Sequence, residues 1–143
     1  MIMSGPSLRQ LHAHHAIHQG ALSGALTKTE EVEDLLRAKE FEVARQAADH
    51  LLEFWETRII SHADAEEEGF YQEMIQQNSE LKKPVADLTR DHDILRIIAA
   101  DIKQLLVEEG LSYEVMKQFH ALLVVNAIHS REEERMLLQE PSV

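Results

Sequence analysis

The chain has 143 residues, enough for one hydrophobic core and too few for two, and its 44% apolar and 28% charged content is that of a folding chain rather than a disordered one. Its 26 acidic residues against 14 basic ones leave a net charge of −12, a field that repels phosphate backbones and anionic lipid, so nucleic acid and membrane surfaces are excluded as partners. With no cysteine, disulfides, thiolate sites and thiol nucleophiles are also excluded, and any bound metal must be held by nitrogen and oxygen.

Read in chain order, Ser7, or Ser4 with Pro6 just inside, caps a first helix running to about residue 35, with Thr27-Lys28-Thr29 or Arg37-Ala38-Lys39 as its possible break. A second helix is predicted over about 40–76 and a third over about 84–109, after the polar stretch that ends at Pro84. Gly110 stops the third helix. Ser112 caps a fourth that extends to about 138, and Pro141 follows it. Nothing in the sequence has the pattern of a strand. Short connections between long helices predict an all-α, up-down-up-down antiparallel four-helix bundle occupying residues 1–143 as one domain. The longest apolar run, Ala121 to Val125, is far short of the ~20 residues of a membrane span, and no signal pattern opens the chain, which reads as cytoplasmic.

The apolar stripes follow from 3-4 spacing. They are Leu8, Leu11, His15, His18, Leu22 and Leu26 on helix one, and Trp55, Ile59, His62, Glu66, Phe70 and Met74 on helix two. Helix three has Val85, Leu88, His92, Leu95, Ala99, Ile102 and Leu106, and helix four has Phe119, Leu122, Val125, His129, Glu133 and Leu137. Polar residues therefore interrupt every stripe. Nine histidines in a chain of this size are an excess, and His62/Glu66 and His129/Glu133 are i,i+4 pairs that aim an imidazole and a carboxylate the same way. Burying carboxylates and imidazoles without compensation costs several kcal/mol per charge, whereas cations among them reverse the sign. The candidate metal ligands are His15, His18, His62, Glu66, His92, His129 and Glu133, while His12, His50 and His120 fall off the stripes and read as surface residues. His14 with His18 is a competing i,i+4 pair on helix one.

These residues resemble the hemerythrin-like, or HHE cation-binding, family over about residues 8–138. The resemblance rests on Leu11…His15…Leu22, on His62-Ala63-Asp64-Ala65-Glu66-Glu67 followed by Phe70-Tyr71, on Leu88…His92…Leu95, and on His129-Ser130-Arg131-Glu132-Glu133-Glu134 followed by Met136-Leu137. It implies two iron ions, oxo- or hydroxo-bridged, with Glu66 and Glu133 bridging them and His15, His62, His92 and His129 as terminal ligands. His15 is preferred to His14 because Leu11 and Leu22 flank it at the family's spacing. Oxygen-carrying members have a second histidine four residues from the helix-three ligand, whereas Arg96 and Leu88 stand at those positions here; either His18 on helix one supplies the fifth imidazole or one iron keeps an open or water-filled position. Zinc and manganese are the less favoured metals, since structural zinc wants a closed tetrahedral set.

The functional expectation is a protein that binds or senses O2 or a related small ligand such as peroxide or NO, with Ile59, Leu95, Leu22 and Val125 as pocket walls. The alternatives are a di-iron oxidase or peroxide-detoxifying enzyme, for which Tyr71 and Tyr113 are candidate redox groups, and an iron-responsive interaction module. Gly20 and Gly24 suggest close helix approach in a possible homodimer.

Overall fold

The computed structural model describes the backbone of residues 4–138 and the side chains of 12–138. Its residues form four long helices. Helix α1 is Ser4–Arg37. Helix α2 covers residues 41–77, α3 is Lys82–Glu109, and α4 covers residues 113–138. A single 3₁₀ turn, Ser79–Leu81, precedes α3. Leu8 and Leu11 lie outside the residues whose side chains are described, as do the caps proposed at Ser4 and Ser7, and Pro141 lies beyond the described backbone.

The breaks have local causes. Of the two places proposed for the end of α1, the chain uses the second, where Lys39 turns at φ 60. Gly110 stops α3 at φ 78, ψ −167, a region open essentially to glycine alone. The Ser112 hydroxyl then accepts a hydrogen bond from the Val115 backbone N–H at 3.2 Å and starts α4. Pro84 costs α3 little, because the first turn has no intrahelical acceptor for its missing N–H.

Each helix packs on two others, α1 against α2 and α4, and α3 against α2 and α4. The stripe read for α3 is buried at every position. On α4, however, Asn126 is buried where Val125 was expected, and Val125 is only half-buried. On α1 the buried face is His18, Ala25, Thr29 and Val32, while Leu26 is 45% exposed. Small residues line that face because α1 lies close to α2: a Cβ on Gly24 would stand 2.9 Å from Phe54 Cζ. Gly24 thus serves a contact within the chain, and Gly20 has open space beside it.

Helix α2 is not uniform. Trp55–Ile60 and Glu66–Phe70 have the wider π-helical i→i+5 bonding, as does Glu134–Leu138 in α4. Such bonding brings a residue five positions on toward the face of the first. It explains why Tyr71, and not the predicted Phe70, is fully buried beyond Glu66.

Two apolar clusters result. The larger surrounds Trp55, Phe119, Leu51, Ile102 and Leu95; the smaller contains Tyr71, Val85, Leu88, Leu137 and Leu138. Along α2, α3 and α4 the histidines and glutamates fall between them, as one polar layer in the bundle. Among the described residues no helix is long and apolar enough to cross a membrane.

Candidate metal centre

The polar layer contains two groups of converging donors. His14, His18, His62 and Glu66 form one, and Glu66, His92, His129 and Glu133 form the other; within each, the ligand atoms lie within 4.8 Å of one another. Glu66 belongs to both. Its Oε2 is 3.4 Å from His62 Nε2 and 3.8 Å from His14 Nδ1, while its Oε1 is 3.6 Å from His92 Nε2. Glu133 is divided the same way, with Oε2 2.9 Å from His18 Nε2 and Oε1 3.8 Å from His129 Nε2. Each carboxylate therefore presents one oxygen to each group.

Hydrogen bonding orients the imidazoles. Glu67 Oε2 lies 2.6 Å from His92 Nδ1, Asp91 Oδ2 3.1 Å from His129 Nδ1, and Glu134 Oε2 2.8 Å from His18 Nδ1. A carboxylate accepts, so each Nδ1 carries a proton there, and the Nε2 of a ring that holds no second proton has its lone pair directed at the layer; His18, which holds a second proton in the metal-free protein, is the exception. The consequence is sharpest where His92 Nε2 and His129 Nε2 stand 2.9 Å apart. Two lone pairs at that distance repel unless a proton or a metal cation lies between them. Two nitrogens about 2.1 Å from one ion are roughly 3.0 Å apart at a right angle and roughly 3.4 Å apart at the tetrahedral angle, so the spacing suits adjacent ligands of an octahedral ion. Further unmet need lies alongside: His14 Nδ1, His62 Nε2, Glu66 Oε2 and Glu133 Oε2 are buried without a hydrogen-bond partner, which normally costs about 1–3 kcal/mol for each group. His18 Nε2 is near enough to Glu133 Oε2 to interact but is misaligned for a hydrogen bond.

The electrostatics agree. Burial and the neighbouring Glu133 push the Glu66 carboxyl up to about 10. Burial also opposes charge on Glu133, but contacts with His18, Glu66 and Tyr71 outweigh it and hold that carboxyl below its ordinary range. The two acids thus keep one proton between them, on Glu66. Burial works against a charged His18 as well, yet its contacts with Glu133 and Glu134 raise it to about 9. His14, His62 and His92 are lowered, chiefly by burial, and stay neutral as metal ligation requires. A buried layer of histidines and glutamates that can hold metal is the central feature of this fold.

His18, His62, Glu66, His92, His129 and Glu133 are thus brought together in the two groups, and His15 is not. Its side chain is 58% exposed and its Nδ1 lies 2.9 Å from Glu134 Oε1; His14 takes the inward place. Successive helical residues are about 100° apart, and with His18, Ala25, Thr29 and Val32 facing inward, His14 falls in line with Val32 on that face and His15 about 40° beyond its far edge. His14→Ala is expected to remove metal from one of the two groups and His15→Ala from neither, as read by elemental analysis of the purified variants; equal losses would return His15 to the site.

Sequence reasoning missed the supporting residues. Glu67, Asp91 and Glu134 anchor imidazoles. Arg96, four residues after His92, reaches Glu67 at 2.8 Å and Asp64 at 2.6 Å, so a cation stands behind the carboxylate that holds His92. Tyr71 donates to Glu133 Oε1 at 2.5 Å and stacks on His92 at 5.6 Å between centroids, while Tyr113 is 84% exposed in the first turn of α4. His12, His50 and His120 are exposed, and His120 pairs with Glu33. A narrow cavity opens beside the donors with Ile59 and Leu95 in its walls; Leu22 and Val125 are not among its lining residues.

No protein-family model matches this chain, and comparison with curated proteins and with solved structures finds no significant match.

Proposed function

We propose that this chain is a non-haem di-iron protein of hemerythrin-like type, an up-down-up-down bundle that binds or senses O2 or a related small ligand such as peroxide or NO. One observation carries the reading: Glu66 turns one oxygen to His14 and His62 and the other to His92, and Glu133 turns one to His18 and the other to His129. Two carboxylates shared in that way serve a pair of ions better than a single one. Three imidazoles on one side and two on the other leave the donor set unequal. The side served by His92 and His129 is short of protein nitrogen and suits an external ligand.

Iron held there would supply reversible electron transfer to such a ligand. The chain's own residues orient the imidazoles through Glu67, Asp91 and Glu134, and fix Glu133 through the Tyr71 hydroxyl. The apolar layers above and below limit the entry of water. Purified protein loaded with ferrous iron without oxygen is expected to hold two iron ions per chain by elemental analysis, and to develop ligand-to-iron charge-transfer bands on exposure to air. A sample that takes up one ion per chain, or that stays colourless in air with its iron bound, defeats the proposal.

A further inference from the structure

Three of the imidazoles lean on a carboxylate, and the three carboxylates differ in what stands behind them. Glu67 Oε2, which accepts from His92 Nδ1 at 2.6 Å, also accepts from Arg96 Nη2 at 2.8 Å. The same guanidinium donates to Asp64 at 2.6 Å through Nη2 and to Asp93 at 2.9 Å through Nη1, so one cation gathers three carboxylates from α2 and α3 beside His92. Among the described residues no other lysine or arginine pairs with those three. None pairs with Asp91, which holds His129, or with Glu134, which holds His18 and has only the exposed His15 beside it.

An oxygen shared between an imidazole N–H and a guanidinium gives part of its charge to the guanidinium and draws less on the imidazole proton. His92 is therefore a weaker electron donor toward the layer than a ring backed by a bare carboxylate. The field acts in the same direction, because without Arg96 the charges of Glu67, Asp64 and Asp93 would stand uncompensated next to the donors. A less basic imidazole and a nearby positive charge both favour ferrous over ferric iron. We infer that Arg96 is a positioning residue that, through Glu67, holds an iron ion bound by His92 and His129 toward the ferrous state. The inference rests on the metal-centre reading above and extends it. The side short of protein nitrogen is also the side whose ion resists oxidation, so the centre favours binding an external ligand over losing an electron to it.

The test uses the full chain loaded with iron and reads the reduction potentials by spectroelectrochemical titration, with iron content measured on the same samples. Arg96→Gln is expected to lower one of the potentials by the equivalent of a roughly tenfold gain in ferric over ferrous affinity, about 59 mV for one electron, at unchanged iron content. Arg96→Lys, which keeps the charge, is expected to recover most of that shift. In a Glu67→Gln background the shift caused by Arg96→Gln is expected to fall by roughly half or more, as coupling between neighbouring groups requires. Glu67→Gln alone keeps an oxygen that accepts from His92 and removes its charge; it is expected to raise the same potential, and it decides the question should Arg96→Gln fold poorly. A residue that only clamps α2 to α3 would change Tm and leave the potentials where they were. Unchanged potentials in Arg96→Gln or in Glu67→Gln at full iron content, equal shifts in Arg96→Gln and Arg96→Lys, or a shift undiminished in the Glu67→Gln background overturns the role of Arg96 and leaves the metal centre standing. Wild-type protein that takes up no iron overturns both.

Discussion

Glu66→Ala is expected to strip metal from both donor groups at once, whereas His14→Ala affects only one. Glu66 is the one residue common to the two groups, and it is 4% exposed on a helix segment whose π-bonding starts at that residue. Water entering the truncated site cannot replace a carboxylate that reaches two ions. Loss of an outer hydrogen-bonding partner alone costs about 10–100-fold in metal affinity, so loss of this shared ligand is expected to exceed that range at both positions. Elemental analysis after dialysis reads the result directly. The metal-free fold should tolerate the change, because Glu66 already holds its proton there and a protonated acid with an unpaired Oε2 contributes little stability. A variant that keeps one full equivalent of metal would show that the two groups do not depend on a common carboxylate.

The second large effect is on thermal stability, and it changes with pH. Metal at 100 times its dissociation constant adds about 2.7 kcal/mol, or roughly 10 °C in Tm for a chain of this size, and a chelator should remove it. Protons compete for the same atoms. Glu66 is raised from 4.5 to about 10 and His18 from 6.5 to about 9. A raised folded-state pKa contributes stability that is complete below the unfolded value and is lost as pH rises through the folded one. The metal-free protein should therefore lose stability as pH rises from about 6.5 toward 9, by up to about 1.4 kcal/mol per pH unit for each proton retained. On the acid side, His14, His62 and His92 are lowered. The unfolded chain takes up their protons first, so stability also falls below pH 6.5. Bound metal displaces the protons on Glu66 and His18, so affinity, and with it the Tm difference between loaded and chelated protein, should widen between pH 6.5 and 9. Melting curves with and without chelator across that range test the sign; a gap that narrows with rising pH would contradict it.

Much of the site could be read from periodicity. On α3 every predicted stripe position is buried, because large aliphatic residues at 3-4 spacing leave a single face on which His92 can lie. The two His-x-x-x-Glu pairs converge for the same reason, and helix starts and stops at Ser112, Gly110 and Lys39 follow from capping and backbone chemistry within a few residues.

Helix α1 is where that reasoning failed. Its leucines suggested one face, but close packing against Phe54 favours small residues, and the helix turns Ala25, Thr29 and Val32 inward, carrying His14 with them and leaving His15 outside. Tyr71, Asn126 and the carboxylates of Glu67, Asp91 and Glu134 carried no signal of their own, since an acidic residue near a histidine is common in a chain this acidic. What the amino-acid sequence determined alone is an all-helical chain with an imidazole donor on every helix and a carboxylate donor on two, because those depend on spacing along one helix. Which imidazole of α1 faces inward, which carboxylate is common to both groups, and what stands behind each ring depend on how four helices rotate against one another, and only their packing decided that.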